Sequence, residues 1–455
     1  MHMKQASKTI PIRQTAGLAV ARDVGGELRP AIAGTIARAS QIFRALVQNP
    51  HLGEQIFTIG LRGASAAGKF ALSLYLLSFV GLSELGVYGL LVAAATATPA
   101  ILGFGLSDWT TRQCVGLPTD EAISLAGTRL AFTVAVHAIV QPVFWLANAY
   151  LGGPVPTHFA VLVALILVLE QLGVDAHGPL VARRHVMLSS VILFIRSGAW
   201  PIAIIAVGCV YPPARSLTWV LVAWVAGLTV MMLVLSGLAL QRGRWRMLRL
   251  RPDWLRGALR RCWPFYLSDI GAVSSLYADR FIISFFAGLE LTGIYVFFWS
   301  AANVVHSVTL YGTFHPRVPL LIEAANAGDT ATLRKRLFQF QSMTVVWALL
   351  MFGFLWVGVQ LFMQMGERPE LDGHMALFAL IIIAVMMRII ADSYHFVLYA
   401  LSRDRTIAAV NLGIAVVSAV LNALLVATAG LTGAAIAAIV TATGLLATRR
   451  ALSRF

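Results

Sequence analysis

The sequence predicts an all-α polytopic membrane protein. It should carry twelve transmembrane helices in two six-helix bundles, related by a pseudo-two-fold axis along the membrane normal. Three observations predict this. The 455 residues are 58% hydrophobic and only 12% charged, about half the charge of an ordinary soluble domain. Leu130–Leu169 and Thr406–Thr448 contain no Lys, Arg, Asp or Glu, and each is long enough for two helices of about 20 residues. Finally, Ser78–Tyr88 (SFVGLSELGVY) and Ser284–Tyr295 (SFFAGLELTGIY) align with a single one-residue gap, which marks an internal repeat.

Residues 1–55 form an N-terminal extension, in which Ile32, Ile36, Phe43 and Leu46 can share one face of an interfacial helix, bordered by Arg29, Arg38 and Arg44. The first 50 residues lack the apolar core of a cleavable signal peptide, so the first span is expected to direct insertion. Hydropathy places the spans at about 57–81, 85–107, 124–150, 156–174, 187–209, 216–240, 263–287, 290–313, 339–364, 374–401, 406–427 and 431–448. With both termini cytoplasmic, 27 of the 35 Lys/Arg fall in inside segments, and only Arg215 and Arg368 fall outside. A miscounted span would destroy that alternation. The same bias accounts for the net charge of +15 without a nucleic-acid partner.

The first bundle is therefore 56–241 and the second 263–448, joined by a basic linker at 242–262 and followed by a tail at 449–455. Six spans per half is even, so the repeat is parallel and two bundles should flank a central cleft. The stretch Gln241–Trp263 holds eight Arg against one Asp, interleaved with Trp and Leu. It reads as an ordinary positive-inside connector or as an amphipathic segment on anionic lipid.

Six cations fall inside spans: Arg62, Lys69, Arg129, Arg196, Arg280 and Arg388. Each costs roughly 2.5–3.5 kcal/mol near a helix centre, so each must pair, snorkel or face water. Arg129 lies near the inner end of its span and can snorkel. Arg62 and Lys69 are seven residues apart and share a face with Ser65 and Ala66. Asp269 and Arg280 fall on one stripe three turns apart. Arg388, Asp392 and His395 follow at i, i+4 and i+7, so the first two can pair directly. Arg62, Lys69 and Arg280, supplemented by Arg196 and Arg388, form the expected anion site, since Arg matches phosphate through its bidentate fork. Asp392 with His395 is the first candidate for ion or proton coupling, and Asp269 and Asp279 are further candidates. Glu170 is the remaining intramembrane acid. His137 and His306 stand alone and read as helix-packing residues.

No catalytic constellation is present. There is no Walker A sequence, G-x-S-x-G elbow or H-E-x-x-H, and the expected external loops are too short for a polymerase or glycosyltransferase site. Cys114, Cys209 and Cys262 show neither metal-ligand nor disulfide spacing. Neither catalysis nor a cofactor or metal is expected.

The run ADRFIISFFAGLELTGIY (Ala278–Tyr295) resembles the polysaccharide-biosynthesis flippases of the MOP exporter superfamily, the Wzx type. In that family the seventh span commonly ends in a D-R run leading into a G-x-Y turn. Asp279, Arg280, Gly293 and Tyr295 match it, and Gly86, Tyr88, Gly103 and Gly105 resemble the first-half counterpart. The resemblance covers about residues 57–448. It implies a V-shaped, MATE-like transporter in a bacterial plasma membrane that moves an undecaprenyl-pyrophosphate-linked oligosaccharide to the outer leaflet. Its basic cavity residues would hold the pyrophosphate. Membrane lipids and other polysaccharide-assembly proteins would be its partners, and a monomer is expected. The N-terminal extension departs from the family norm. A cation-coupled small-molecule antiporter with the same plan is the alternative, although drug cations call for an acidic rather than a basic cavity.

Overall fold

The computed structural model describes residues 50–455, apart from 152–156, 184, 242, 244–246, 315–316, 367–368 and 454–455. The expected interfacial helix at 28–47 lies outside the described residues. Residues Thr58–Phe455 form one compact unit, and no strand occurs among the described residues. Among the described residues, ten helices are long and apolar enough to cross a membrane.

The helices run in chain order as α1 (Pro50–Phe79), α2 (Leu82–Ile101), α3 (Leu106–Cys114), α4 (Thr119–Leu151), α5 (Ala160–Ala182), α6 (Val186–Phe194), α7 (Trp200–Val210) and α8 (Leu217–Gln241). They continue as α9 (Pro252–Arg261), α10 (Trp263–Ala287), α11 (Leu289–Thr309), α12 (Val318–Asn326), α13 (Thr330–Gly366), α14 (Met375–Ala400) and α15 (Asp404–Leu452). A π-helical turn at Ile195–Ala199 makes α6 and α7 one passage. The 49 residues of α15 are two limbs that meet at Gly430, whose φ of 56° and ψ of −136° suit glycine alone. The fold-back is tight: a Cβ on Gly433 would overlap the Leu425 carbonyl. Counting both limbs, and α1 with its two cations, gives the twelve expected passages.

Several boundaries move. The second span is expected to run to residue 107 but stops at Ile101. Phe104 and Gly105 then take φ of 52° and 70°, which no helix can accommodate. Phe104 is held there by stacking on Tyr266 at 5.4 Å and by Cys262 Sγ, which donates to its carbonyl at 2.9 Å. The fourth span extends past its expected end at 174 to Ala182 and so takes Asp175 into the bundle. The linker is pinned to α4: the Arg249 and Arg251 amides donate to Ser124 Oγ at 3.3 Å and Thr128 Oγ1 at 3.0 Å. Trp254 packs over buried Cys114, Ala122 and Leu125, and burial pushes the Cys114 thiol up. The Arg251, Arg256, Arg260 and Arg261 side chains stay exposed.

The repeat becomes a joint between the halves. Gly81 and Gly288 precede α2 and α11 with matching backbone (φ 125°, ψ 168° and φ 86°, ψ 175°). Beyond them the two helices cross at Gly86 and Gly293. A Cβ on Gly86 would overlap the Leu289 carbonyl, and one on Gly293 would overlap the Leu82 carbonyl. The contact is reciprocal, as a two-fold relation requires. Small residues let membrane helices approach to backbone contact. The cleft between the halves is thus pinched at the end bearing Gly81 and Gly288. At the opposite end, which bears the linker, a Cβ on Gly105 would lie 2.5 Å from the Tyr266 nitrogen.

Gly293→Ala should lower stability by about 1–3 kcal/mol, the usual cost of overpacking. At Gly413 an added Cβ meets nothing within 4 Å, so Gly413→Ala should be neutral or mildly stabilising. Thermal unfolding of the two purified variants, compared side by side, checks the difference.

Candidate functional site

The cleft has two lobes of about 330 and 270 Å³. Lys69, Tyr88, Val92, Thr96, Glu170 and Arg196 line both. The second lobe brings together Arg62, Lys69, Arg196 and Arg280, from α1, the π-turn and α10, with Glu170 as its acid among the described residues. Ser65, Ser73, Ser300, Asn303 and Ser307 add hydroxyls and an amide, and Tyr277 and Trp299 add aromatic surface. The first lobe holds Asp108 and Asp269 beside Glu170. Arg62 and Lys69 therefore do share a wall. Asp269 and Arg280, on one stripe of α10, face different lobes.

Local structure aims each group. Arg280 is 5% exposed, its guanidinium lies 4.6 Å over the Tyr277 ring, and its Nε is buried without a hydrogen-bond partner among the described residues. A guanidinium over an aromatic face keeps its edge free for an anion. Its neighbour Asp279 points elsewhere. Asp279 Oδ2 accepts from the Tyr295 hydroxyl at 2.6 Å, and Oδ1 accepts from the Arg280 amide at 2.8 Å. Arg196 sits in the π-turn, and its Nε donates to Glu170 Oε2 at 2.5 Å. Trp224 Nε1 donates to Oε1 of the same carboxylate at 2.8 Å. Gly173, one turn after Glu170, leaves room for the Arg196 side chain, which approaches a would-be Cβ at 3.0 Å. Small residues also bring α1 close to the π-turn: a Cβ on Gly198 would lie 2.6 Å from Ser65 Oγ.

Other expectations are corrected. Arg129 does not snorkel. It is fully buried, with Nη2 2.8 Å from Asp175 Oδ1, while Thr133 Oγ1 donates to Asp175 Oδ2 at 2.6 Å. Hydropathy ends that span just before Asp175, which hides the partner. Arg388 does not line the two-lobed cleft, and its attraction to Asp392 acts across a distance, without a direct ion pair among the described residues. It borders a small chamber of about 20 Å³ that also takes in Asp279, Ser418 and Asn422. Side chains lean toward a helix N-terminus, so an Arg preceding its Asp by four residues reaches away from it.

Asp392 is claimed from other helices. His306 Nε2 lies 2.9 Å from its Oδ2, and Arg449 Nη1 donates to Oδ1 at 2.8 Å. His306 thus does not stand alone. Arg449, expected in the tail, is a buried member of α15 that also donates to Asn411 Oδ1 at 3.1 Å. His395 makes no hydrogen bond to Asp392: its Nδ1 is buried without a hydrogen-bond partner among the described residues, and its ring packs edge-on against Phe396. His137 is a packing residue, 2.8 Å from Gln171 Oε1.

Asp175→Ala alone should cost about 3–5 kcal/mol, because it strands the Arg129 charge. Pairing it with Arg129→Met should recover most of that loss. Yields of folded protein and thermal midpoints of the single and double variants check this.

No protein-family model matches the chain, and no curated protein matches it. Solved structures do. An inward-facing multidrug resistance MATE family transporter of the MOP superfamily superposes with a TM-score of 0.66 at 12% identity, over 88% of this chain and 97% of that one. A MATE in complex with MaL6 gives 0.62 at 12% identity, over 88% and 94%. A point mutant of the Vibrio cholerae MATE transporter VcmN gives 0.55 at 15% identity, over 91% and 96%. The chain has the fold of MATE transporters of the MOP superfamily.

Proposed function

We propose that the protein is an alternating-access membrane transporter whose substrate occupies the two-lobed cleft, with its anionic part in the basic lobe. One observation carries the substrate class: Arg62, Lys69 and Arg280 converge on that lobe, while Glu170 is already bonded by Arg196 and Trp224. Fixed positive charge in a low-dielectric cleft recruits phosphate or carboxylate. The surrounding serines, Asn303 and Trp299 suit a sugar, through hydroxyl hydrogen bonds and ring stacking. A polyprenyl-pyrophosphate-linked oligosaccharide, carried from the inner to the outer leaflet, combines both features. Its lipid tail would remain in the bilayer.

A second reading is a cation-coupled small-molecule antiporter. The fold neighbours favour it at least as strongly, since one of them is named as a multidrug resistance transporter. Asp108 and Asp269 in the first lobe also offer a cation acidic surroundings that the second lobe lacks.

Arg280→Ala should abolish surface glycan at normal membrane levels of the protein, and Arg62→Ala should reduce it. Lipid-linked glycan would then accumulate on the inner leaflet. The check is a complementation assay run beside efflux of cationic dyes from the same cells. Full complementation by both variants, with Asp269→Asn-sensitive dye efflux, would establish the antiporter instead.

A further inference from the structure

The passage from α11 to α13 leaves a groove away from the cleft. The chain leaves α11 through a π-helical turn (Leu310–Phe314) and then forms the nine-residue α12. Leu321 and Ala324 of α12 are buried, at 1% and 4% exposure, whereas Leu320 is 44% exposed. Between α12 and the start of α13 lies a cavity of about 260 Å³, lined by Arg317, Leu320, Arg336, Gln339, Phe340 and Met343 among others.

Two guanidiniums frame this groove. Arg317 Nη1 donates to the Thr313 carbonyl at 3.0 Å, and its Nη2 approaches Met343 Sδ at 3.0 Å. Arg336 Nη1 donates to the Leu320 carbonyl and lies 3.6 Å from Glu323. Each guanidinium carries five N–H donors, so both keep donors to spare. Arg334 and Lys335 line the other side of α13 with Phe338. The segment 317–336 holds four cations, Arg317, Arg334, Lys335 and Arg336, against two acids, Glu323 and Asp329.

The position relative to the bilayer identifies what would fill the groove. No charged residue occurs from Leu337 through Met365, a run ample for the roughly 30 Å hydrocarbon core. Its outward face is exposed and apolar, at Val346, Leu350, Phe354 and Leu361. Arg334–Arg336 therefore sit where that apolar face ends, at headgroup depth. An acyl chain along α13 would bring its phosphate to Arg317 and Arg336.

We propose that this groove holds the phosphate-bearing headgroup of an anionic phospholipid, its acyl chains lying on the exposed face of α13. A zwitterionic lipid offers the same phosphate but no net charge to answer the surplus cations. The site is independent of what the cleft transports.

The test is lipid retention by the full-length protein, read by native mass spectrometry from mixed phosphatidylglycerol and phosphatidylcholine micelles. Wild type should retain phosphatidylglycerol preferentially, and Arg317→Gln/Arg336→Gln should weaken that preference about fivefold or more. Arg405→Gln/Arg450→Gln, which removes equal charge from exposed positions on α15, should leave it intact. Equal loss in both variants would reduce the effect to diffuse surface charge and overturn the proposal. So would an unchanged preference in the groove variant. Should that variant fold poorly, Arg317→Lys/Arg336→Lys serves in its place, with a partial loss expected. Thermal stabilisation by inorganic phosphate equal to that by phosphatidylglycerol would mark a simple ion site and also sink the lipid reading.

Discussion

The crossing of α2 and α11 at Gly86 and Gly293 is the constraint on which the cleft depends. Each glycine lies where a Cβ would strike the other helix's backbone, so the approach is set by main chain rather than by adaptable side chains. Interiors are too close-packed to absorb such a change cheaply. With the halves pinned at one end, α1 and α10 can present charged side chains to a shared space. Lys69, on α1, borders both lobes, and Arg280, on α10, borders the basic one. The aromatic wall of Tyr88, Trp224 and Trp200 backs the cleft from within the first half. The Trp224 ring now lies 6.1 Å from Tyr88 and 5.1 Å from Trp200, behind the Glu170 carboxylate.

Charge inside the bundle is then managed in three ways, and the differences carry the functional argument. Arg129 is cancelled outright, sealed against Asp175 with no exposed surface. Such a pair contributes little net stability, yet breaking it is costly, so its place is structural. Arg196 is cancelled at the cavity wall, where Glu170 holds it in fixed orientation. Arg280 is supported by a ring instead of a carboxylate, which leaves its charge available to whatever enters the basic lobe. The first arrangement builds the bundle, the second orients a wall and the third leaves a cation bordering the basic lobe.

Much of this is legible in the sequence. Span number follows from charge-free stretches and from Lys/Arg alternation, because each is imposed by the bilayer itself. The convergence of Arg62, Lys69 and Arg280 follows from helical spacing together with the repeat. What sequence spacing misreads depends on partners from distant helices. Spacing pairs Asp392 with Arg388 because i, i+4 neighbours are visible in sequence, whereas His306 and Arg449 lie 86 and 57 residues away. Asp175 is lost at a boundary: helix ends are the least defined feature of a hydropathy profile. The early end of α2 has a signal in Pro99 followed by Gly103 and Gly105, since proline and glycine together interrupt helices.

The D-R and G-x-Y elements illustrate how structure changes the meaning of a motif. In sequence they are the end of one helix and the start of the next. In the fold, Tyr295 donates to Asp279 at 2.6 Å, which clamps α11 to α10 two residues beyond the Gly293 crossing. Asp279 also caps the Arg280 amide, so the same carboxylate fixes the backbone from which the Arg280 side chain projects. Neighbours on a helix point about 100° apart, and satisfying Asp279 on the far side leaves Arg280 to face the cleft. The halves' joint and the cavity's exposed cation are thereby mechanically linked. A movement that separated α2 from α11 would pull on Tyr295, then on Asp279, and so reorient the group best placed to hold an anion.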